Sequence, residues 1–181
     1  MLKLLIVSLY FILPAYVANM MPVIAGKLSL PGGKPISERW FGLHKTWRGF
    51  YAGYFGALVV LVVQAILARN RIMEDYAILN YLGGGFLESL LMAFGYAFLF
   101  GVGAIFGDLV KSFLKRRIGI KPGASWFPLD QLDFVIGAML CLWPFVELPG
   151  QVVAMVLVAT PVVHFLVNVL GYLVGLKKVW W

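Results

Sequence analysis

The sequence predicts an all-α integral membrane protein, a bundle of about five transmembrane helices, and three observations carry that prediction. The first is composition: 62% of the residues are hydrophobic and the mean hydropathy is +0.91, outside the range of disordered chains and of soluble globular domains. The second is length. A helix needs about 20 mostly apolar residues to cross the hydrocarbon core, and stretches of that size recur at about 2–23, 50–68, 82–106, 131–148 and 150–174. The third is sorting: only fifteen basic and eight acidic residues are present, and most lie between those stretches. A chain of 181 residues leaves room for one membrane domain, taken as 1–181.

The first stretch carries Lys3 as its only charge, with Pro14 and Asn19 inside it, so a kinked span is expected. A cleaved signal peptide is the rival reading. The apolar run continues to about Val23, too long for a signal core, and ends without a small-x-small cleavage site. The second stretch follows Trp47, an interface aromatic. The third includes Glu88, to which no role is assigned. The fourth and fifth are separated only by Glu147-Leu148-Pro149-Gly150, read as a tight hairpin at a membrane face. In the fifth, His164, Asn168 and Tyr172 recur at i, i+4 and i+8. Polar groups at membrane depth face the bundle interior, where interhelical hydrogen bonding is their ordinary role. Cys141 is the only cysteine, so no internal disulfide forms.

Basic residues set the orientation. Residues 24–49 hold five (Lys27, Lys34, Arg39, Lys45, Arg48), 107–130 hold five (Lys111, Lys115, Arg116, Arg117, Lys121), and the tail holds Lys177 and Lys178. With five spans these fall on one side, against Lys3, Arg69 and Arg71 on the other. The positive-inside rule then places the N-terminus outside and the C-terminus in the cytoplasm, with both basic loops, about 24–49 and 107–130. The formal charge of +7 is read first as this topology and second as phosphate binding; no nucleic-acid partner is expected.

Chemistry concentrates in residues 107–133. Asp108, Lys111, Ser112 and Lys115 stand at i, i+3, i+4 and i+7, one face of a helix continuing from the third span. Snorkelling anchors would account for the lysines but not for Asp108. Asp130 and Asp133 open the fourth span, where helix capping and the helix dipole are the plain alternative. Two neighbouring acids raise each other's pKa unless a cation intervenes. Mg²⁺ takes one or two carboxylates together with substrate phosphates, so Asp108, Asp130 and Asp133 are the expected metal ligands. Pro122 and Pro128 restrict the intervening loop, and Gly119 and Gly123 permit tight turns or close approach of a ligand. In the first loop, Lys45 and Arg48 within His44-Lys45-Thr46-Trp47-Arg48-Gly49 are expected to face the second loop and complete an anion site. Neither a Ser-His-Asp set, zinc spacing nor a dinucleotide fingerprint is visible, which leaves a nucleophilic hydrolase unsupported.

Ser112-x-x-Lys115-Arg116-x-x-x-x-Lys121, followed by Asp130-x-x-Asp133, resembles the signature of integral-membrane phosphatidate cytidylyltransferases. Pro122 replaces that family's Asp, its His-Gly-Gly is missing, and Gln131 stands where it has Arg. The small size, Lys121-Pro122-Gly123, the 44–49 segment and the His164/Asn168/Tyr172 stripe look more like the archaeal branch, the CDP-archaeol synthases. The chain ends Val179-Trp180-Trp181, where that branch leads one to expect a penultimate proline.

The resemblance implies Mg²⁺-dependent transfer of CMP from CTP to 2,3-bis-O-(geranylgeranyl)-sn-glycerol 1-phosphate at the cytoplasmic face of the cell membrane, releasing pyrophosphate. It assigns Lys111, Ser112, Lys115, Arg116 and Lys121 to catalysis. Alongside these, Lys45, Arg48, Asn19, His164 and Asn168 are expected to bind substrate, and Asp108, Asp130 and Asp133 to hold the metal. A homo-oligomer is compatible with the resemblance. Two alternatives stay open at this point: the same chemistry on phosphatidic acid, and a non-enzymatic transporter or scaffold whose basic loops bind anionic lipid.

Overall fold

A computed structural model describes residues 1–70, 86–120, 124 and 126–175. Its helices are α1 (Leu2–Lys27), α2 (Glu38–Phe41), α3 (Trp47–Arg69), α4 (Phe86–Arg117), α5 (Leu129–Leu142) and α6 (Gly150–Leu173). No strand occurs among the described residues; the only β-type pairing there is a bridge between Pro35 and Thr46. α1, α3, α4 and α6 are long and apolar enough to cross a membrane.

Two boundaries differ from those of the apolar stretches. The apolar stretch ends near 106, but α4 runs on to Arg117, the continuation on which Asp108, Lys111 and Lys115 are expected to share a face, so the first part of the 107–130 loop is helical. Its charged residues are compatible with a helix that outlasts the apolar stretch. α5 has 14 residues and ends at Leu142 rather than near 148. At 1.5 Å per residue it is about 21 Å long, short of the roughly 30 Å hydrocarbon core. Pro144 cannot supply an N–H to extend the ladder, and residues 143–149 turn toward α6. The path from one end of the bundle to the other is nonetheless completed: the Lys27 ammonium donates to the Gly175 carbonyl, which places the ends of α1 and α6 together. An ion pair from Lys45 to Asp108 brings the start of α3 and the end of α4 to the same end of the bundle. α5 starts there, α6 starts at the far end, and the helix plus its turn spans between them. α1 is continuous across Pro14 and Pro22.

The core is made of large apolar side chains set among alanines. Phe100, Phe134, Ile12, Leu61 and Leu142 are fully buried beside Ala15, Ala57, Ala97 and Ala138. Phe11 meets Phe100 edge-on at 5.7 Å between ring centroids. Outward faces remain apolar, with Val59, Phe98, Val158 and Leu170 exposed, as suits helices solvated by lipid. Lipid gives no hydrophobic drive to helix pairing, so close backbone approach and interhelical hydrogen bonds take over. Between α4 and α5 that approach is extreme. A Cβ on Gly107 would collide with the Asp133 carbonyl oxygen, one on Gly137 with the Gly103 carbonyl oxygen, and one on Gly103 would stand 2.8 Å from the Ala138 Cα. This seam sets the end of α4 against the start of α5.

Two further polar contacts tie α1 to its neighbours. The Tyr16 hydroxyl and the Thr160 Oγ1 are 2.9 Å apart, and Gln64 Nε2 donates to the Tyr10 carbonyl at 2.7 Å. Thr160 also donates to the Val156 carbonyl at 2.6 Å and so keeps a partner without Tyr16. Tyr16→Phe is therefore expected to cost only about 0.6 kcal/mol, a typical intramembrane hydrogen bond. A thermal melt in detergent should show a fall of a few degrees with a folded protein retained.

Candidate active site

The first loop is folded back on itself. Ile36 N–H donates to Lys45 O at 2.7 Å, Trp47 N–H to Lys34 O at 3.2 Å and Arg48 N–H to Gly32 O at 2.7 Å. Gly32 takes φ +87°, a left-handed conformation that glycine adopts without a Cβ penalty. Thr46 caps α3 by accepting the Gly49 N–H at 3.3 Å. Lys45 is thereby fixed one residue before the cap and reaches across to Asp108. Arg48 acts locally as well: its guanidinium donates to the Leu30 carbonyl at 3.0 Å and packs against Gly26 and Gly33, bracing the loop.

On α4, Asp108, Lys111 and Lys115 share the face turned toward α5. The Lys111 Nζ lies 3.1 Å from Asp108 Oδ1, 3.1 Å from Asp130 Oδ1 and 2.7 Å from Asp133 Oδ2. Lys115 Nζ is 3.2 Å from both Asp130 oxygens and donates also to the Ala124 carbonyl. Three carboxylates thus interlock with three ammonium groups, drawn from the first loop, α4 and α5. Asp133 is the deepest, its residue only 8% exposed, with Oδ1 accepting its neighbour Phe134's N–H at 2.7 Å.

Simple helix capping does not describe the acids. Pro128 occupies the N-cap of α5, and no side chain caps there. The Asp130 carboxylate instead accepts the Trp126 N–H. Burial pushes the Asp130 carboxyl up, but the Trp126 N–H, the Lys111 charge and the Lys115 ammonium together bring it below the ordinary carboxylate value. It is ionised across the neutral range.

These groups line a cavity of about 720 Å³ at one end of the bundle. Loop and helix residues Lys45, Arg48, Asp108, Lys111 and Lys115 form part of its wall, as do Asp130 and Asp133 from α5. Asn19 of α1 and His164 and Asn168 of α6 line it as well; Asn168 Nδ2 and His164 Nδ1 are 3.2 Å apart. A second, largely apolar cavity of about 210 Å³ lies between α1, α5 and α6. The two share Asn19, Val23, His164 and Asn168, so a polar chamber adjoins an apolar one at those residues.

Not every expected residue joins them. Ser112 is not among the described lining residues although it stands at i+4 from Asp108. Arg116 is exposed, its guanidinium close against Gly42 of the first loop, where a Cβ would come within 2.6 Å of it. Lys121 lies outside the described residues. Conversely, His44, Thr46 and Gln131 line the cavity, and the Gln131 Oε1 is buried there without a hydrogen-bond partner. Its signal in the sequence was its place between Asp130 and Asp133.

The donor set is compatible with a hard cation that brings further oxygen ligands of its own. Among the described residues, no three His, Cys, Asp or Glu close on a metal by themselves. Mg²⁺ does not need such a cage, since one or two carboxylates suffice when phosphates complete the shell. Asp108, Asp130 and Asp133 already converge on a single ammonium, and the orphaned Gln131 oxygen is a further oxygen donor on the same wall.

A family model described as CDP-archaeol synthase, CarS-like, matches residues 1–181. The CDP-archaeol synthase of Pyrococcus abyssi is 37% identical, with 96% of each chain covered. That of Methanocaldococcus jannaschii is 38% identical over 99% of this chain and 98% of its own. A solved structure described as an intramembrane enzyme for archaeal membrane lipids biosynthesis superposes with a TM-score of 0.65 at 28% identity, covering 88% of this chain and 91% of that one. A non-enzymatic scaffold is set aside by these relatives, and the chain, a membrane enzyme, belongs to the CDP-archaeol synthase family.

Proposed function

We propose that the protein transfers CMP from CTP to 2,3-bis-O-(geranylgeranyl)-sn-glycerol 1-phosphate, with Mg²⁺, to give unsaturated CDP-archaeol and pyrophosphate. The observation that carries the reading is the junction of the two cavities. A nucleotide triphosphate and a lipid phosphate suit the charged chamber, while isoprenoid tails suit the apolar space beside Asn19, His164 and Asn168. The basic residues gathered at this end of the bundle support a site facing the cytoplasm, where CTP is available.

The chemistry asks little of a general base. A phosphomonoester has a second pKa of about 6, so the lipid phosphate is already an anionic nucleophile near neutral pH. One of its oxygens forms a bond to the α-phosphorus of CTP as the bond to the bridging oxygen of the leaving pyrophosphate breaks. The barrier lies in bringing two anions together, which positioned charge lowers. Bound Mg²⁺ would supply charge neutralisation on the triphosphate, held by Asp133 with Asp130 or Asp108. Lys45 and Lys115 both line the chamber, where they would hold phosphate oxygens. His164 and Asn168 stand where a lipid phosphate would pass between the chambers and orient its head group.

Purified protein given CTP, Mg²⁺ and the ether lipid phosphate should release pyrophosphate and yield a CDP-lipid by mass, both abolished by EDTA. Phosphatidic acid and the other nucleoside triphosphates, run alongside, should react more slowly. A preference for phosphatidic acid would overturn the lipid assignment, and full activity in EDTA the metal assignment.

A further inference from the structure

We propose that Lys111 is the built-in counter-ion of the carboxylate cluster, closing it to free divalent metal and releasing it only to metal that arrives with nucleotide phosphates. The inference rests on the reading of Asp108, Asp130 and Asp133 as the metal-holding group. Its ground is the position of one atom. The Lys111 Nζ stands within 3.1 Å of an oxygen from each of the three carboxylates. Among the described residues no other cation does so: Lys45 pairs with Asp108, and Lys115 with Asp130. Lys111 therefore stands on the point where the three acids converge.

Two cations cannot share that point. A metal ion drawn to the same oxygens meets the ammonium at short range, in a setting where the Lys111 side chain is only 15% exposed and that of Asp133 5%. Water screens little there, and like charges repel strongly. Metal alone must drive a lysine off three carboxylates with no anion to receive it. A triphosphate changes the exchange, because its oxygens accept the displaced ammonium while the metal takes the carboxylates. Lysine is suited to the swap: its charge is compact and its stem is a flexible four-carbon chain. No covalent bond changes; one set of ion pairs is traded for another. Metal and nucleotide consequently bind with positive coupling, and by linkage each strengthens the other equally.

The coupling is readable without turnover. Mn²⁺ binding to the full-length protein in detergent is measured by equilibrium dialysis, with and without CTP on both sides and without lipid, so that Mn²⁺ complexed by CTP alone distributes equally and only protein-bound metal is counted. The wild type should bind Mn²⁺ at least tenfold more tightly with CTP than without. Lys111→Met removes the competing ammonium, so it should bind Mn²⁺ alone at least tenfold more tightly than the wild type. It should also melt at a lower temperature in EDTA and recover on Mn²⁺ alone, whereas the wild type gains little from Mn²⁺ alone. Equal Mn²⁺ affinity in wild type and Lys111→Met would overturn the role given to Lys111 while leaving the metal site standing. Equal Mn²⁺ affinity of the wild type with and without CTP would overturn it even if the variant fails to fold. No Mn²⁺ binding by either protein with CTP present would sink the metal-holding reading as well.

Discussion

Asp133→Asn is expected to leave almost no CMP transfer. The residue is the most buried of the three acids, and its Oδ2 stands 2.7 Å from Lys111. An asparagine keeps the shape but removes the charge, and a neutral amide neither holds Mg²⁺ as a carboxylate does nor balances a buried ammonium. Loss of a metal-ligating carboxylate is worth several kcal/mol of transition-state stabilisation, and about 3–4 kcal/mol corresponds to a rate loss of roughly 10²–10³-fold. Glu88→Gln is the matched control. Glu88 lies in the first turn of α4, roughly 30 Å along the helix from Asp108 at 1.5 Å per residue, and its loss should leave the initial rate near normal. Comparable initial rates in the two variants would contradict the assignment of the site.

Gly107→Leu should be the most damaging substitution for the fold. Even the first carbon of the new side chain would overlap the Asp133 carbonyl oxygen. The two helices must part, and the site parts with them, because Asp108 and Lys111 stand on one and Asp130 and Asp133 on the other. Overpacking of a close interface costs about 1–3 kcal/mol, and more where backbone is the obstacle. The expected result is a lower melting temperature in detergent with activity lost, and Gly107→Ala should fall between the variant and the wild type. Gly95→Leu on the same helix has nothing within 4 Å of its Cβ and should be tolerated. A Gly107→Leu protein that melts like the wild type would show that the seam does not set the α4–α5 distance.

The seam also marks where the sequence was legible. Apolar runs announce helices in lipid because hydropathy reports depth directly, and α1, α3 and α6 lie close to where such runs place them. The same index misjudges ends. The apolar run ends near 106, while the helix that the spacing of Asp108, Lys111 and Lys115 expects carries α4 on to Arg117, because hydropathy tells depth and not backbone conformation. In the fourth stretch the run outlasts the helix, since Trp143, Phe145 and Val146 are apolar without being helical and Pro144 ends the ladder.

The candidate site was legible as a set of residue types at helical spacing, and less so as an arrangement. The i, i+3, i+7 spacing places Asp108, Lys111 and Lys115 on one face, and the structure brings them together with the α5 acids. The same spacing argument gathers Ser112, which is not among the cavity residues described, because a helix face is broad and its partner touches only part of it. That Lys111 meets all three acids depends on the glycine contacts between α4 and α5, a long-range fact invisible to local spacing. Arg48 shows the converse: its charge suggested an anion site, while its guanidinium also braces the loop that presents Lys45.

The most direct measurement follows label from CTP into lipid. Two parallel reactions would use CTP labelled at the α-phosphate or at the γ-phosphate, with Mg²⁺ and the geranylgeranyl ether lipid phosphate, and each would be extracted into organic solvent. Cytidylyl transfer predicts α-label in the lipid phase and γ-label wholly in aqueous pyrophosphate, with both patterns lost in Asp133→Asn. Label from the γ-phosphate in the lipid, or α-label in the lipid from the Asp133→Asn protein at the wild-type rate, would contradict the account.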